Sequence, residues 1–575
     1  MINRDHVVIT GLLAILGILT LALALPTVAR PDVGIPDPGP TFPSEPAYRE
    51  GMVGRPSAVS PFAAVTPADR ALVRLVFSGL VRLGPDGSLV GDLAERWSVD
   101  EAGTTWTFVL RDDALWHDGE PVTARDVLFT VAALKDDDYM GPGGASWRDV
   151  TARIIDDRTV SFTLGDPIGG FLYAATQPIA PSHILGDVPV ELLPTHPFNQ
   201  QPVGSGPYWV VSWSASRAQL EAFAPELVTA DEEPQPLSSA VDSLATASPT
   251  LVPDRPTPYL RHIELEFYST PAELAEALAD GTVHAAAGLP PGDAIAVASD
   301  PAFHLIRYPT TTLTTVLLDV HPTRATFRDA RIRRGLLSAI DRDKLVGTTF
   351  SGLGVRADAP IPPGSWAFDA AASEPIAYDP AAARKLLAAG GWRASGSGWS
   401  IPGVSADGTI ELLAPDETAN RATYVAAEAV ASDWRAIGIT VTVVHLPTTE
   451  LAARVEAGDF EAAVVELALG LDPDLYPLLA STQSINEGAN LSGLQDPSLD
   501  RLLEAARKPG SVEERLPAFR ELQAYLQASQ PMLPLAFRDE VVVASAALTG
   551  PSPRLISETA DRFYDVVAWR LADGR

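Results

Sequence analysis

The chain has 575 residues, 46% of them apolar, and no cysteine. That length predicts several domains with sizeable cores and excludes wholesale disorder, and the missing cysteine excludes disulfides, thiolate metal sites, cysteine nucleophiles and lipidation at an N-terminal cysteine. A formal net charge of −31 repels a phosphate backbone, so nucleic acid is excluded as a partner; a taste for cationic ligands stays open, because a pocket can differ in sign from the surface around it.

Val7 to Leu25 is an apolar run interrupted only by Thr10, Gly11, Gly17 and Thr20, with Arg4 and Arg30 flanking it. Extended to Ala29 it can cross a hydrocarbon core of about 30 Å as one helix. It reads as an uncleaved anchor or as a signal peptide cut near Ala22-Leu23-Ala24, and its length favours the anchor. Both place the rest of the chain outside the cytoplasm. Residues 31–47 are proline-rich and read as an extended spacer.

The body begins with β signals. Trp106 to Leu110 and Thr159 to Leu164 read as strands, with a helix at Ala124 to Leu134 between them. Residues 221–257 form a polar, proline-rich, acidic stretch that reads as a surface insertion. Ile263 to Tyr268 alternates as a strand. Thr270-Pro271-Ala272-Glu273 is a capping box with proline at the first helical position, and Gly281 ends that helix before a short apolar strand. The same grammar returns at 439–467: a strand, a helix from Glu450 stopped by Gly458, and a strand. PAELAEALADGTVHAA and TTELAARVEAGDFEAA align without a gap. Two such units imply one α/β lobe with parallel pairing. Asp379-Pro380 opens another helix, and Ala419 to Ile437 one more. Val541 to Val543 and Asp565 to Trp569 read as strand material returning to the first half. A chain that crosses between lobes more than once makes a hinged binder, with its site in the interlobe cleft.

Five blocks, in order, resemble one family. They are Leu80 to Trp97 (LVRLGPDGSLVGDLAERW), the stretch from Trp106 through WTFVLRDDALWHDGEPVTARDVLFT, Pro202 to Tyr208 (PVGSGPY), Phe327 to Asp341 (FRDARIRRGLLSAID) and Asn490 to Leu503. Together they are similar to the bacterial extracellular solute-binding proteins of the oligopeptide, dipeptide and nickel class that serve ABC importers. The resemblance implies a two-lobed, flytrap-like, periplasmic-binding-protein α/β fold with an extra subdomain. Residues 48–261 would be lobe I, with the extra subdomain at about 64–195. Residues 262–537 would be lobe II, and 538–575 would return to lobe I.

The resemblance also points to site residues. The family's peptide binders hold the ligand amine with an acidic residue just before a DPD element, here Asp472-Pro473-Asp474. The usual acidic position is Leu469 and the usual tryptophan position is Glu466, so the standard amine anchor is missing. Glu466, a carboxylate in an apolar strand, needs a partner: a cationic ligand atom, or a structural ion pair. Asp472 and Asp474 can touch ligand, although capping the next helix is the stronger reading. Tyr476 can stack on a ligand or pack in the core. Trp366, in the loop PIPPGSW, reads as a ligand wall. Ser60 and Phe62 match the family's entry to the cleft, and Asn490 heads the last block. Gly204 to Tyr208 lacks the lysine and helix of a phosphate loop and reads as a tight turn near the interlobe crossover.

The nine histidines are scattered and neither a zinc-helix nor a nucleophile-elbow motif is present. No catalytic residue, metal or cofactor is therefore expected. The expected function is extracytoplasmic capture of a peptide or similar small solute by a monomer that hands it to an ABC permease in the membrane. The alternatives are a ligand sensor or chaperone-like binder that no longer transports and, behind it, a carboxylate-based hydrolase.

Overall fold

The computed structural model describes residues 47–84, 87–223, 258–372, 374–396, 398–404, 408–484 and 488–572. The apolar run near the N-terminus and nearly all of the 221–257 stretch lie outside them. No helix among the described residues is long and apolar enough to cross a membrane.

The chain opens with β1 (Tyr48–Val53) and a helix, Pro67–Val76, capped by a Thr66/Asp69 box. Asp69 also accepts backbone hydrogens from Ser57, Ala58, Val65 and Thr66, so one buried carboxylate ties the 57–66 loop to the helix start. β2 (Val81–Leu83) and β3 (Leu89–Gly91) form a short antiparallel pair. β4 (Ala94–Val99), β5 (Thr105–Leu110), β6 (Thr151–Asp156) and β7 (Thr159–Thr163) make a four-stranded antiparallel sheet in the order β4-β5-β7-β6. Strict alternation along β5 sends Trp106, Phe108 and Leu110 inward, as a half-buried strand requires.

A second, larger sheet spans the molecule. β8 (Tyr208–Trp213) and β9 (Arg217–Ala222) are antiparallel neighbours, and β10 (His262–Tyr268) continues from β9. β1 lies between β10 and β11 (Ala285–Ala287), parallel to both. The helix joining them, Pro271–Ala279, has the expected Thr270/Glu273 capping box, and Gly281 follows with a positive φ of 80°. β12 (Phe303–Leu318) then leaves this half for the other. There β13 (Gly354–Arg356) is a side strand, β14 (Arg393–Ser395) and β15 (Gly398–Ser400) form a hairpin, and β16 (Thr409–Pro415) lies parallel between β17 (Thr440–Leu446) and β18 (Ala462–Ala468). β19 (Leu533–Ser545) runs back, antiparallel to β12. The main path is β17-β16-β18-β12-β19-β11-β1-β10-β9-β8.

Two expectations need correcting. The aligned strand-helix-strand units do not share a lobe: the first brackets β1 and the second brackets β16, so each builds its own half. Residues 262–302 consequently belong with the first half, and the crossing comes at β12 rather than near 262. In addition, Asp565 to Trp569 is not a strand. Residues Thr559–Ala568 form 3-10 turns, held by Asp565 accepting Trp569 Nε1 at 2.6 Å and the Ser552 amide at 2.9 Å.

Three cores match this layout. One packs residues 48–308 together with the tail, one packs 313–537, and a small one lies under the Pro271–Ala279 helix. The tail is fastened by a buried ion pair. Arg562 donates twice to Glu50 Oε1, at 2.8 and 2.6 Å, and Tyr48 donates to Oε2 at 2.7 Å; Glu50 and Arg562 are both fully buried. Glu50→Leu alone strands a buried guanidinium and should cost about 3–5 kcal/mol, whereas Glu50→Leu with Arg562→Met should recover most of that loss. Denaturant unfolding of both variants checks this.

Candidate ligand-binding site

The residues singled out in the sequence separate into three groups. Ser60, Phe62 and Asn490, read as ligand contacts, are wholly buried. Ser60 Oγ accepts the Phe62 amide at 3.3 Å, and Phe62 packs edge-on to Phe129 and Tyr139. Asn490 is spent on its own loop: it donates to the Ala480 and Leu494 carbonyls and accepts from Ser492 and Leu494.

Glu466 lies on β18. Its Oε2 accepts from Asn420 Nδ2 at 3.0 Å, and Oε1 lies 4.0 Å from Arg538 Nε. It faces none of the cavity described below.

Trp366, Asp472, Asp474 and Tyr476 are gathered around two arginines. Arg515 makes a bidentate pair with Asp472, at 2.6 and 3.0 Å, and stands 4.8 Å from the Trp366 ring. Arg507 lies 4.3 Å over the Tyr476 ring and 3.3 Å from Asp474. Burial pushes the Asp474 carboxyl up, and Arg507 opposes that push. Asp474 also accepts the Tyr476 amide at 3.0 Å, and Asp472 is committed to Arg515. A turn of the first half sits directly against this cluster: the Gly169 amide donates to the Arg507 carbonyl at 2.7 Å. A Cβ on Gly169 would lie 2.9 Å from Arg515 Cζ, and one on Gly170 would lie 3.2 Å from Asp472 Cγ. The cluster is thus a rim of contact between the two halves, where small residues allow close approach.

The cavity itself was not legible in the sequence. It holds about 560 Å³, within the usual range for a small-molecule site of about 300–1,000 Å³. Its walls come from the end of the Pro67–Val76 helix, β2, the 111–115 turn, Gly206-Pro207 and the tail segment 557–567, with Leu471 reaching in from the second half. Phe77, Phe223, Phe563 and Tyr564 supply apolar surface. Leu471 is placed there because β18 ends in a clamp: Leu469 donates its amide to the Thr311 carbonyl at 3.1 Å, and Thr311 Oγ1 donates to the Leu469 carbonyl. The glycine loop at 204–208 is a tight turn beside the first helix. It lies on the helix end, where a Cβ on Gly204 would meet the Val76 carbonyl oxygen at 1.9 Å, and so brings the Gly206 backbone to the cavity wall.

Three arginines (Arg74, Arg82, Arg111) and three aspartates (Asp92, Asp113, Asp561) line this space, so the local charge balances despite the acidic surface. Arg111 pairs bidentately with Asp113, at 2.8 Å for both bonds, and Arg74 pairs with Asp561 at 2.7 Å. A second space of about 280 Å³ shares Arg74, Thr176 and Ser557 with the first. Glu558, paired with Arg70 at 2.6 Å, lines it.

A model of bacterial extracellular solute-binding proteins, family 5, matches residues 88–488. The chain belongs to that family. Its members bind solutes and are not enzymes, which removes the hydrolase alternative. Protein XP55 of Streptomyces lividans is 27% identical over 88% of this chain and 86% of its own length. The oligopeptide-binding protein AppA of Bacillus subtilis is 24% identical, with 84% of each chain covered. The solved structure of NikZ from Campylobacter jejuni with Ni(L-His) superposes with a TM-score of 0.67 at 23% identity, covering 91% of this chain and 99% of that one. The likeness supports a periplasmic-binding-protein fold.

Two outcomes follow from the geometry. Gly169→Val should push the rim contact apart and weaken solute binding while leaving the melting temperature within about 2 °C; solution scattering should show a larger radius of gyration. Burial, and then the neighbouring Asp561 charge, push the Glu558 carboxyl above its ordinary 4.5, against the pull of Arg74 and Arg70. The folded chain therefore keeps that proton longer than the unfolded one, and ionising Glu558 costs stability as pH rises above 4.5. The melting temperature of Glu558→Gln relative to the parent should rise from about pH 4 to about pH 7. A flat or falling difference contradicts the assignment.

Proposed function

We propose that this chain captures a small solute of the peptide class outside the cytoplasm, in the cavity between the two halves, and hands it to an ABC permease. The observation that carries the reading is the space of about 560 Å³, walled by the first half with Leu471 of the second at its edge. The names of the relatives, among them an oligopeptide-binding protein and the dipeptide-binding protein of Escherichia coli, point the same way. The mechanism is closure: β12 and β19 flex, the Arg507–Arg515 rim meets the Gly169 turn, and water leaves the cavity. Trp366 and Tyr476 hold the rim in this scheme, with Asp472 and Asp474. The apolar run at 7–25 serves as the anchor or export signal, and the protein works as a monomer.

A thermal-melt screen of the full-length chain in mild detergent tests this, with di- to octapeptides, oligosaccharides and metal chelates. A ligand at about 100 times its Kd adds about 2.7 kcal/mol of stability. Peptides should raise the melting temperature. A rise with sugars or chelates alone would sink the peptide class, and none with any compound would favour a sensor or chaperone-like binder.

A further inference from the structure

We propose that Arg82 anchors the solute by an anionic group, and that the solute needs no free amine. The inference rests on the peptide-class reading of the cavity and concerns which end of such a ligand is read.

Arg82 sits in β2 and lines the cavity, half-buried. Its Nη1 donates to the Leu83 carbonyl at 3.4 Å, a long bond, and among the described residues no carboxylate lies within ion-pair distance of it. The other two cavity arginines are matched, Arg74 to Asp561 and Arg111 to Asp113. A guanidinium presents five donors in a planar fork that fits a carboxylate with two parallel bonds. When the cleft closes, such a group loses water and needs a counter-charge.

No acidic group is poised in the same way for an amine. Asp561 also accepts from the Ser557 amide and hydroxyl and from the Glu558 amide, besides Arg74. Asp113 is held by both bonds of Arg111, and Asp92 is engaged as well. Leu469 puts a buried apolar side chain where an amine-binding acid was expected, and Glu466 is turned to Asn420. The uncommitted charge in the cavity is thus positive, and an acylated amine loses nothing there.

Calorimetric titration of the full-length chain in mild detergent tests this with a mixed set of di- to tetrapeptides. Each is used as the free acid, the N-acetyl derivative and the C-terminal amide. Acid and N-acetyl forms should bind within about threefold of each other, and amides about 10–100-fold more weakly. Arg82→Gln should weaken the acids by a similar factor and bring acid and amide together; Arg82→Lys should fall between. Equal binding of acid and amide by the parent overturns the proposal without any variant, as does loss of binding on N-acetylation. Heat from no peptide in any form would remove the peptide reading, and this inference with it.

Discussion

β12 and β19 are the only part of the described architecture that both halves share, and everything else hangs on their pairing. They run antiparallel from Phe303↔Ser545 to Val316↔Leu533, with the register shifting between Pro309 and Leu313. Proline cannot donate to a ladder, so the break falls where the sequence demands it. Around the break the backbone finds other partners. The Ile556 amide donates to the Pro309 carbonyl at 2.9 Å, the Thr311 amide donates to the Ile556 carbonyl at 3.1 Å, and Thr310 Oγ1 reaches the Arg538 carbonyl at 2.8 Å. The crossover is loosened as a ladder while these backbone groups stay paired. Because Ile556 is part of it, the tail segment that walls the cavity is tied to the hinge strand. The Leu469 clamp ties the end of β18 to the same threonine.

The two halves repeat one solution on either side of that ladder. β10 and β11 flank β1, β17 and β18 flank β16, and the inner strand of each trio meets a crossing strand antiparallel. Each half needs a strand donated from elsewhere in the chain to fill its centre. That need explains why the N-terminal strand and the C-terminal tail lie together, locked by Glu50 and Arg562. A buried pair of this sort fixes register more than it adds stability: with Arg562 in place, β1 has a single register that leaves no unpaired charge.

Local structure was legible in the sequence because local chemistry decides it. The Thr270/Glu273 box, the Asp379-Pro380 helix start and the Gly458 stop all lie where they were read. The gapless repeat was legible too, but not its meaning. Two similar strand-helix-strand units look alike whether they share a sheet or found two, since the strand between them is remote in sequence. The tail misled for a related reason. Its valines have strand character, yet Asp561 and Asp565 offer side-chain acceptors that fold the backbone into turns instead.

The site was the least legible part, because motif positions report on architecture as much as on ligand. Asn490, Ser60 and Phe62 stand in family-like stretches, and all three are buried. Asp472 is spent on Arg515, where it braces the rim between the halves. The cavity instead takes its charged lining from turns and short strands with no distinctive pattern, such as β2 and the 111–115 turn. No sequence spacing announces that Arg82 and Asp561 face one space, since they are brought together only when the tail returns. Balanced charge inside a chain of net charge −31 is likewise a property of packing. At physiological ionic strength surface charges are screened beyond about 8 Å. The charges lining the pocket are therefore set apart from the acidic exterior.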